Sequence, residues 1–291
     1  MQTRAIAPLT VRGVTFDWGT RTYLMGVLNV TPDSFSDGGQ FNTIERAIAQ
    51  AHYLVESGAD ILDIGGQSTR PQAEDVSEEE EMARVIPVIQ GIRTGYGNHP
   101  PLTTPISIDT TKASVAREAI AAGADIVNDI SGATFDAQML ATVAELGVPL
   151  ILMHLRGTPK TMQQLTDYDD VVADVREFLH QRLQSALAIG IPKSHLIIDP
   201  GIGFAKTVDQ NLELLRRTAD LRSLSVPVLI GTSRKSFIGH ILNQPDPNQR
   251  VWGTAASCCA AIAHHADILR VHDVAQMRDV SRVADAIWRS P

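Results

Sequence analysis

Four residues in this sequence carry together a chemistry that none has alone. Asp109, Asn128, Asp199 and Lys235 each stand at or just past the end of a short apolar run. A carboxylate and an amide carbonyl accept hydrogen bonds from the amino and imino groups of a ring, and a lysine donates to a ring carbonyl or nitrogen. A flat nitrogen heterocycle such as a pterin presents that edge. Two acids without His or Cys at ligand spacing suit N–H recognition better than a zinc centre. A second set, Asn29, Arg70, Arg270 and His272, suits an anion. A guanidinium offers a planar fork to phosphate oxygens. Arg270 and His272 alternate, so they point the same way from one strand. A buried arginine without a counter-charge is costly, which favours an anionic guest in this acidic chain. Mg²⁺ fits beside a diphosphate, held by phosphate oxygens, water and a protein oxygen such as that of Asn29. Read singly, Asp109 and Asn128 are helix caps or turn formers and His272 a satisfied core histidine. Their joint occurrence argues for a site.

Two segments have the Gly, Pro, Ser and Asp content of active-site lids: 31–39 (TPDSFSDGG) and 65–71 (GGQSTRP). The run from Gly201 to Thr207 misses the Walker spacing, because Ala205 precedes Lys206, and GxGxxG fails with Lys206 in its last place. Ser233-Arg234-Lys235 lacks a GxSxG elbow. Glu78 to Glu81 reads as a solvated helix start, and His264-His265 as a helix end.

The elements that must position these residues are regular. Aliphatic runs at 23–30, 60–66, 106–110, 125–131, 148–155, 195–202, 226–233 and 267–273 predict strands buried on both faces, the habit of parallel sheets. Helix-period segments lie between them, at 43–57, 77–93, 112–122, 136–146, 168–189, 208–221, 249–265 and 274–288. Thr43 is the expected cap of the first, and Ser77 opens a capping box. Gly58, Gly123, Gly147 and Gly190 are helix stops. Strict alternation predicts a (β/α)₈ TIM barrel, one domain over 1–291, with a β-hairpin within 1–20 closing its bottom. An open doubly wound sheet would want a Gly-rich fingerprint after its first strand, and none is present. Nearly every strand ends in a polar residue: Asn29, Asp63, Asp109, Asn128, His154, Asp199, Ser233 with Lys235, and Arg270 with His272. In a barrel these ends share one mouth.

Composition narrows the classes. With 44% hydrophobic and 20% charged residues over 291 positions, the chain has the means to bury a full core. Its net charge of −8 argues against a nucleic-acid or anionic-membrane binder. Adjacent Cys258 and Cys259 make no disulfide framework, and no apolar run reaches the roughly 18 residues of a membrane span. The N-terminus lacks the charged and apolar regions of a signal peptide. A soluble, cytoplasmic protein is expected.

The chain from about Tyr23 to Ile287 resembles the dihydropteroate synthase family, the sulfonamide targets of folate synthesis. The strings that carry the resemblance are MGVLNVTPDSFSDGG (25–39), DIGGQSTRP (63–71), SIDT (107–110), NDISG (128–132), MHLRGTPK (153–160), DPGIGFAK (199–206), GTSRKSFIG (231–239) and RVHDV (270–274). The resemblance implies condensation of 7,8-dihydropterin-6-ylmethyl diphosphate with 4-aminobenzoate to 7,8-dihydropteroate and diphosphate, along an SN1-like path. It also implies roles. Asp109, Asn128, Asp199 and Lys235 hold the pterin; Asn29, Arg270 and His272 hold the diphosphate, with Mg²⁺ near Asn29. Thr69, Arg70, Pro71, Phe204, Lys235 and Ser236 shape the aminobenzoate pocket. Asp33 and Phe35 belong to the first lid, and Asp33, Arg70 and Lys235 are the expected catalytic residues. Homodimers through the late barrel helices are expected, with the small residues of 255–263 allowing close packing. Two positions depart from the family pattern: Gln67 stands where Glu is common, and Ala205 where Gly is common. A pterin-binding corrinoid methyltransferase shares the barrel and the Asp/Asn set, but has little use for the Arg70 loop, for 233–235 or for the Arg270 and His272 pair. A non-catalytic paralogue is the remaining alternative.

Overall fold

The computed structural model of the chain describes residues 6–31, 40–68 and 75–289. The chain enters through a hairpin of β1 (Leu9–Val11) and β2 (Val14–Phe16). Its two-residue turn, Arg12-Gly13, has φ of 47° and 77°. Positive φ at both positions matches the twist of the flanking strands.

Eight parallel strands and their helices follow. They are β3 (Tyr23–Asn29), α1 (Gln40–Ser57), β4 (Ile61–Gly65), α2 (Glu78–Thr94), β5 (Ile106–Asp109), α3 (Ala113–Ala122), β6 (Ile126–Asp129), α4 (Met139–Leu146) and β7 (Leu150–Met153). Then come α5 (Val171–Ala188), β8 (Leu196–Asp199), α6 (Val208–Arg216), β9 (Leu229–Ile230), α7 (Ser236–Ile241), α8 (Val251–Ala263), β10 (Ile268–Val271) and α9 (Val274–Trp288). The sheet runs β8-β7-β6-β5-β4-β3-β10-β9. An isolated parallel bridge, Ile198 to Val228, joins its two ends and closes the barrel. The (β/α)₈ expectation holds.

Several boundaries differ from expectation. Helix α1 begins at Gln40, so Thr43 lies within it rather than capping it. Asp170 caps α5, its carboxylate accepting from Val172 and Ala173 N–H, which moves that start three residues later than predicted. The expected helix over 208–221 is α6 plus a 3₁₀ stretch, Thr218–Leu224. Helix α7 was hidden in sequence, because six residues are too few to show a helical period. Ser77 does cap α2, accepting from Glu80 N–H at 3.2 Å.

Side-chain alternation sorts the barrel interior into layers. The lower inward layer is apolar: Met25, Ile61, Ile126, Ile151, Ile197, Leu229 and Ile268 pack on Leu9, Val11, Phe16, Trp18 and Tyr23. The hairpin and the Trp18 turn thus plug the N-terminal end, as predicted. Two residues further along the same strands come Asp63, Asn128, Met153, Asp199 and Arg270. The intervening positions, including Leu62, Ile64, Ile108, Val127, Leu152, Ile198 and Leu269, pack outward against the helices.

Candidate active site

The upper inward layer is a charged network. Arg270 on β10 donates from Nε to Asp63 Oδ2 at 2.6 Å and from Nη2 to Asp109 Oδ2 at 2.7 Å. Asn128 Nδ2 lies 3.3 Å from Asp63 Oδ1, so Asp63 ties β4 to both β6 and β10. Asp199 at the end of β8 accepts from Gly201 N–H through Oδ1 at 2.7 Å. Ladder register sets Asp109 beside Asn128 and Gly65 beside Asn29. Asp109, Asn128 and Asp199 are buried at 8%, 4% and 6% exposure. Each keeps one oxygen that accepts from no described residue: Asp109 Oδ1, Asn128 Oδ1 and Asp199 Oδ2. Lys235, just past β9, holds its Nζ 3.9 Å from the centre of the Phe204 ring. The result is a ring of open acceptors with one ammonium beside it.

Burial and neighbours set the charges. Burial pushes Asp109 up, more than Arg270 pulls it down, and its pKa stands at about 7. Burial likewise raises Asp199 to about 6 against the Gly201 N–H and Lys235. Lys235 is lowered to about 8 by burial and by Arg270. Burial opposes the charge of Arg270, but Asp63 and Asp109 outweigh it and its pKa is raised. His272 is driven down to about 3 by burial, Arg270 and Arg234, so at neutral pH it is an uncharged ring. Its Nδ1 sits 3.0 Å from Ser233 Oγ.

These pairings correct one argument from the sequence. A buried arginine need not call for an anionic guest here, because Arg270 already has two carboxylates of its own chain. Arg234 is spent as well, on both oxygens of Asp273 at 2.6 and 3.0 Å. Asn29 ends β3 half-buried, its side chain bonded to no described residue. Ser236 is the exposed first residue of α7, adjacent to Lys235. Asp33, Phe35, Thr69, Arg70 and Pro71 lie outside the described residues.

Three residues were missed as site residues. Asp63 was read only as a strand end, although the alternation from inward Ile61 would have turned it inward. Lys112 donates to Gln67 Oε1 at 3.2 Å, Val76 O at 2.6 Å and Glu81 Oε2 at 2.6 Å. It therefore grips both stems of the segment carrying Thr69, Arg70 and Pro71, and it gives Gln67 a partner. Gln67, Asp75, Glu81, Asp109, Lys112 and Phe135 help line a cleft of about 210 Å³ above the strand ends. Lys206 is the third, buried beneath the loop after β8. No sequence signal separates either lysine from a surface one.

The model of the family "pterin binding enzyme" matches residues 25–272. A dihydropteroate synthase from Synechocystis sp. is 57% identical, over 97% of this chain and 96% of its own length. A solved Xanthomonas albilineans dihydropteroate synthase with 4-aminobenzoic acid is 44% identical, with a TM-score of 0.89 over 98% of this chain and 100% of that one. The same enzyme in complex with 7,8-dihydropteroate is 42% identical, with a TM-score of 0.86 over 98% and 100% of the two chains. With its barrel, its inward polar layer and relatives this similar along their whole length, the chain belongs to the dihydropteroate synthase family of pterin-binding enzymes, the transferases of folate synthesis.

Proposed function

We propose that the C-terminal mouth of the barrel joins 7,8-dihydropterin-6-ylmethyl diphosphate to 4-aminobenzoate, releasing 7,8-dihydropteroate and diphosphate. One observation carries the reading: the buried side chains of Asp109, Asn128 and Asp199, at the inward-facing ends of β5, β6 and β8, each keep an acceptor oxygen that takes no donor from the described chain. Buried polar groups are rarely left so unless a guest completes them. The amino and ring N–H groups of a pterin are the matching donors, and Lys235 Nζ donates to the ring's carbonyl or nitrogen. The solved relative holding 7,8-dihydropteroate supports that guest.

The reaction needs little covalent help. The bond from the exocyclic methylene to the diphosphate oxygen breaks, and its electron pair leaves with diphosphate. The electron-rich pterin spreads the positive charge left on the methylene. The arylamine nitrogen then forms the new C–N bond and loses a proton to solvent or to the departing anion. Positioning is the main task of the protein. Asn29, Arg270 and His272 are the proposed diphosphate contacts, His272 as a neutral N–H donor. Thr69, Arg70, Pro71, Phe204, Lys235 and Ser236 are the proposed aminobenzoate contacts. Asp33 and Arg70 are assigned to the lids, and with Lys235 they complete the proposed catalytic set.

Mg²⁺ fits this site as a companion of the leaving group. No group of three His, Cys, Asp or Glu able to hold an ion occurs among the described residues. Asn29 offers one uncommitted amide oxygen, which suits an ion bound mainly by phosphate and water. Counted at full ionisation, Asp63, Asp109 and Asp199 balance Arg270, Lys235 and Lys206 and leave no surplus positive charge for diphosphate. When bound, Mg²⁺ would neutralise the leaving oxygens.

Diphosphate release tests the function. Purified protein with both substrates and Mg²⁺ should release diphosphate and form dihydropteroate. A folded protein that binds the pterin but releases no diphosphate would support the non-catalytic alternative. The chain is further proposed to act in the cytoplasm as one unit and as a homodimer. Exposed Ile241 and Leu242 at the end of α7, Trp252 on α8, and Val283 and Ile287 on α9 supply apolar surface for a second copy. A monomer by analytical ultracentrifugation would remove the dimer from the scheme. Among the described residues no helix is long and apolar enough to cross a membrane.

A further inference from the structure

We propose that Lys206 is a positioning residue for the aminobenzoate side of the mouth: it locks the loop after β8 so that the Phe204 ring is held against Lys235. This rests on the function proposed above and adds to it a residue that touches neither substrate.

Lys206 is buried, with 4% of its surface exposed. Its ammonium spends all three donors inside the fold, on Gly201 O at 3.0 Å, Phe204 O at 2.8 Å and His154 Nδ1 at 3.1 Å. The two carbonyls belong to the loop itself, and His154 follows the neighbouring strand β7. Burial lowers the Lys206 pKa to about 7 against the charge of Asp199, and an ammonium so placed is retained only where its acceptors are held. The acceptors here are held. His154 stands edge-on to Phe178, with ring centres 5.0 Å apart, and its backbone N–H donates to Asp199 O at 3.0 Å. To accept from Lys206, His154 must carry its proton on Nε2. Burial and the charges of Lys206 and Arg156 keep that ring neutral, with a pKa of about 2.

The loop needs such a lock because its backbone is strained. Ala205 has φ of 49°, a left-handed conformation in which the Cβ of an L-residue crowds the following carbonyl. Two glycines close the rest of the turn. A Cβ at Gly201 would run into the His154 carbonyl, and one at Gly203 would come within 2.9 Å of Lys235 Cδ. Gly203 therefore lets the Lys235 stem lie flat across the loop on its way to Phe204. Three further bonds brace the same turn: Tyr168 OH to Ala205 O at 3.0 Å, Asn211 Oδ1 from Gly203 N–H at 2.6 Å, and Asn211 Nδ2 to Thr207 O at 2.7 Å. Lys206 is the one member of this set that holds the Phe204 carbonyl directly.

Lys206 bonds the carbonyls of Gly201 and Phe204 and the ring of His154 and none of the pterin acceptors, with Asp199 near it only as a charge, so the two substrates should respond differently. In Lys206→Met the KM for 4-aminobenzoate should rise about tenfold or more, while the calorimetric Kd of the dihydropterin stays within about twofold. Tyr168→Phe removes only the hydroxyl on Ala205 O and keeps the ring. It should show the same split at about threefold, and it serves if the methionine variant does not fold. A crystal structure of either variant should show Phe204 displaced from Lys235 with the strands unmoved. Equal losses for both substrates, or an unchanged aminobenzoate KM in folded protein, would overturn the proposal. Wild-type protein that binds pterin yet releases no diphosphate would instead overturn the proposed function, and the Phe204 displacement would still decide the role of Lys206.

Discussion

The two ends of this barrel are built from the same eight strands and have opposite interiors. At the N-terminal end, Met25, Ile61, Ile126, Ile151, Ile197, Leu229 and Ile268 meet a hairpin whose Phe16 is fully buried between Trp18 and Tyr23. At the C-terminal end, two residues later, the same strand faces present Asp63, Asn128, Asp199 and Arg270. One end is closed by apolar contact and needs no guest. The other is charged, balanced internally, and left with open acceptors. The contrast teaches where stability and chemistry are separated: the dry end carries the fold, which frees the wet end to bury acids that cost stability.

That division is testable from the most disruptive change to the least. Arg270→Met should leave Asp63 and Asp109 as unpaired buried acids, with a cost of about 3–5 kcal/mol in urea unfolding. It should also slow diphosphate release by about a hundredfold. Loss of activity without loss of stability would mean that the network is not the keystone of the upper layer. Phe16→Ala should cost a similar 3–5 kcal/mol or so by the same unfolding measurement, since it empties the plug. Its folded fraction should retain the wild-type KM values, and a changed KM would couple the two ends.

Asp109→Asn should weaken dihydropterin binding by about ten- to a hundredfold in calorimetry, the worth of one charged hydrogen bond. Its stability should move by no more than about 1 kcal/mol, because burial already disfavours the carboxylate. The smallest effect is on pH dependence. In the proposed binding mode, pterin recognition needs Asp109 ionised and Lys235 charged, with pKa values of about 7 and about 8 in the free protein. Affinity should therefore rise with pH through the first and fall through the second. Binding at pH 6.5 should release protons, detectable as a buffer-dependent heat. A flat profile from pH 6 to 9 would remove both groups from the recognition edge.

Much of this was legible in the sequence. Apolar runs with polar ends gave the strand faces, and Gly-terminated periodic segments gave most helices. Asp109, Asn128 and Asp199 came together as expected, because each lies at a strand end and period-two alternation fixes which way it points; Lys235 joins them from the turn that leads into α7. The partnership of Arg270 with Asp63 was not legible. It joins positions 207 residues apart, and only the closed ring brings them together. The lysine locks were equally hidden. Lys112 and Lys206 act on backbone carbonyls, and a carbonyl has no letter in a sequence. Strand β9 was overread, since 226–233 looks as apolar as the other runs yet only Leu229 and Ile230 pair in the ladder.

The shortness of β9 has a consequence for how the chain is cut. Its ladder contact with β8 is the lone Ile198–Val228 bridge, supported by Ile198 N–H on Pro227 O at 3.0 Å. Every other neighbouring pair of barrel strands shares two or more register pairs. Near the original ends, Thr22 N–H and Oγ1 are tied to Asp285 at 2.8 and 2.7 Å. A circular permutant that joins the chain across the Thr22 and Asp285 contact and opens it within Thr218–Leu224 would have β9 as its first strand and β8 as its last, making the natural seam its new edge.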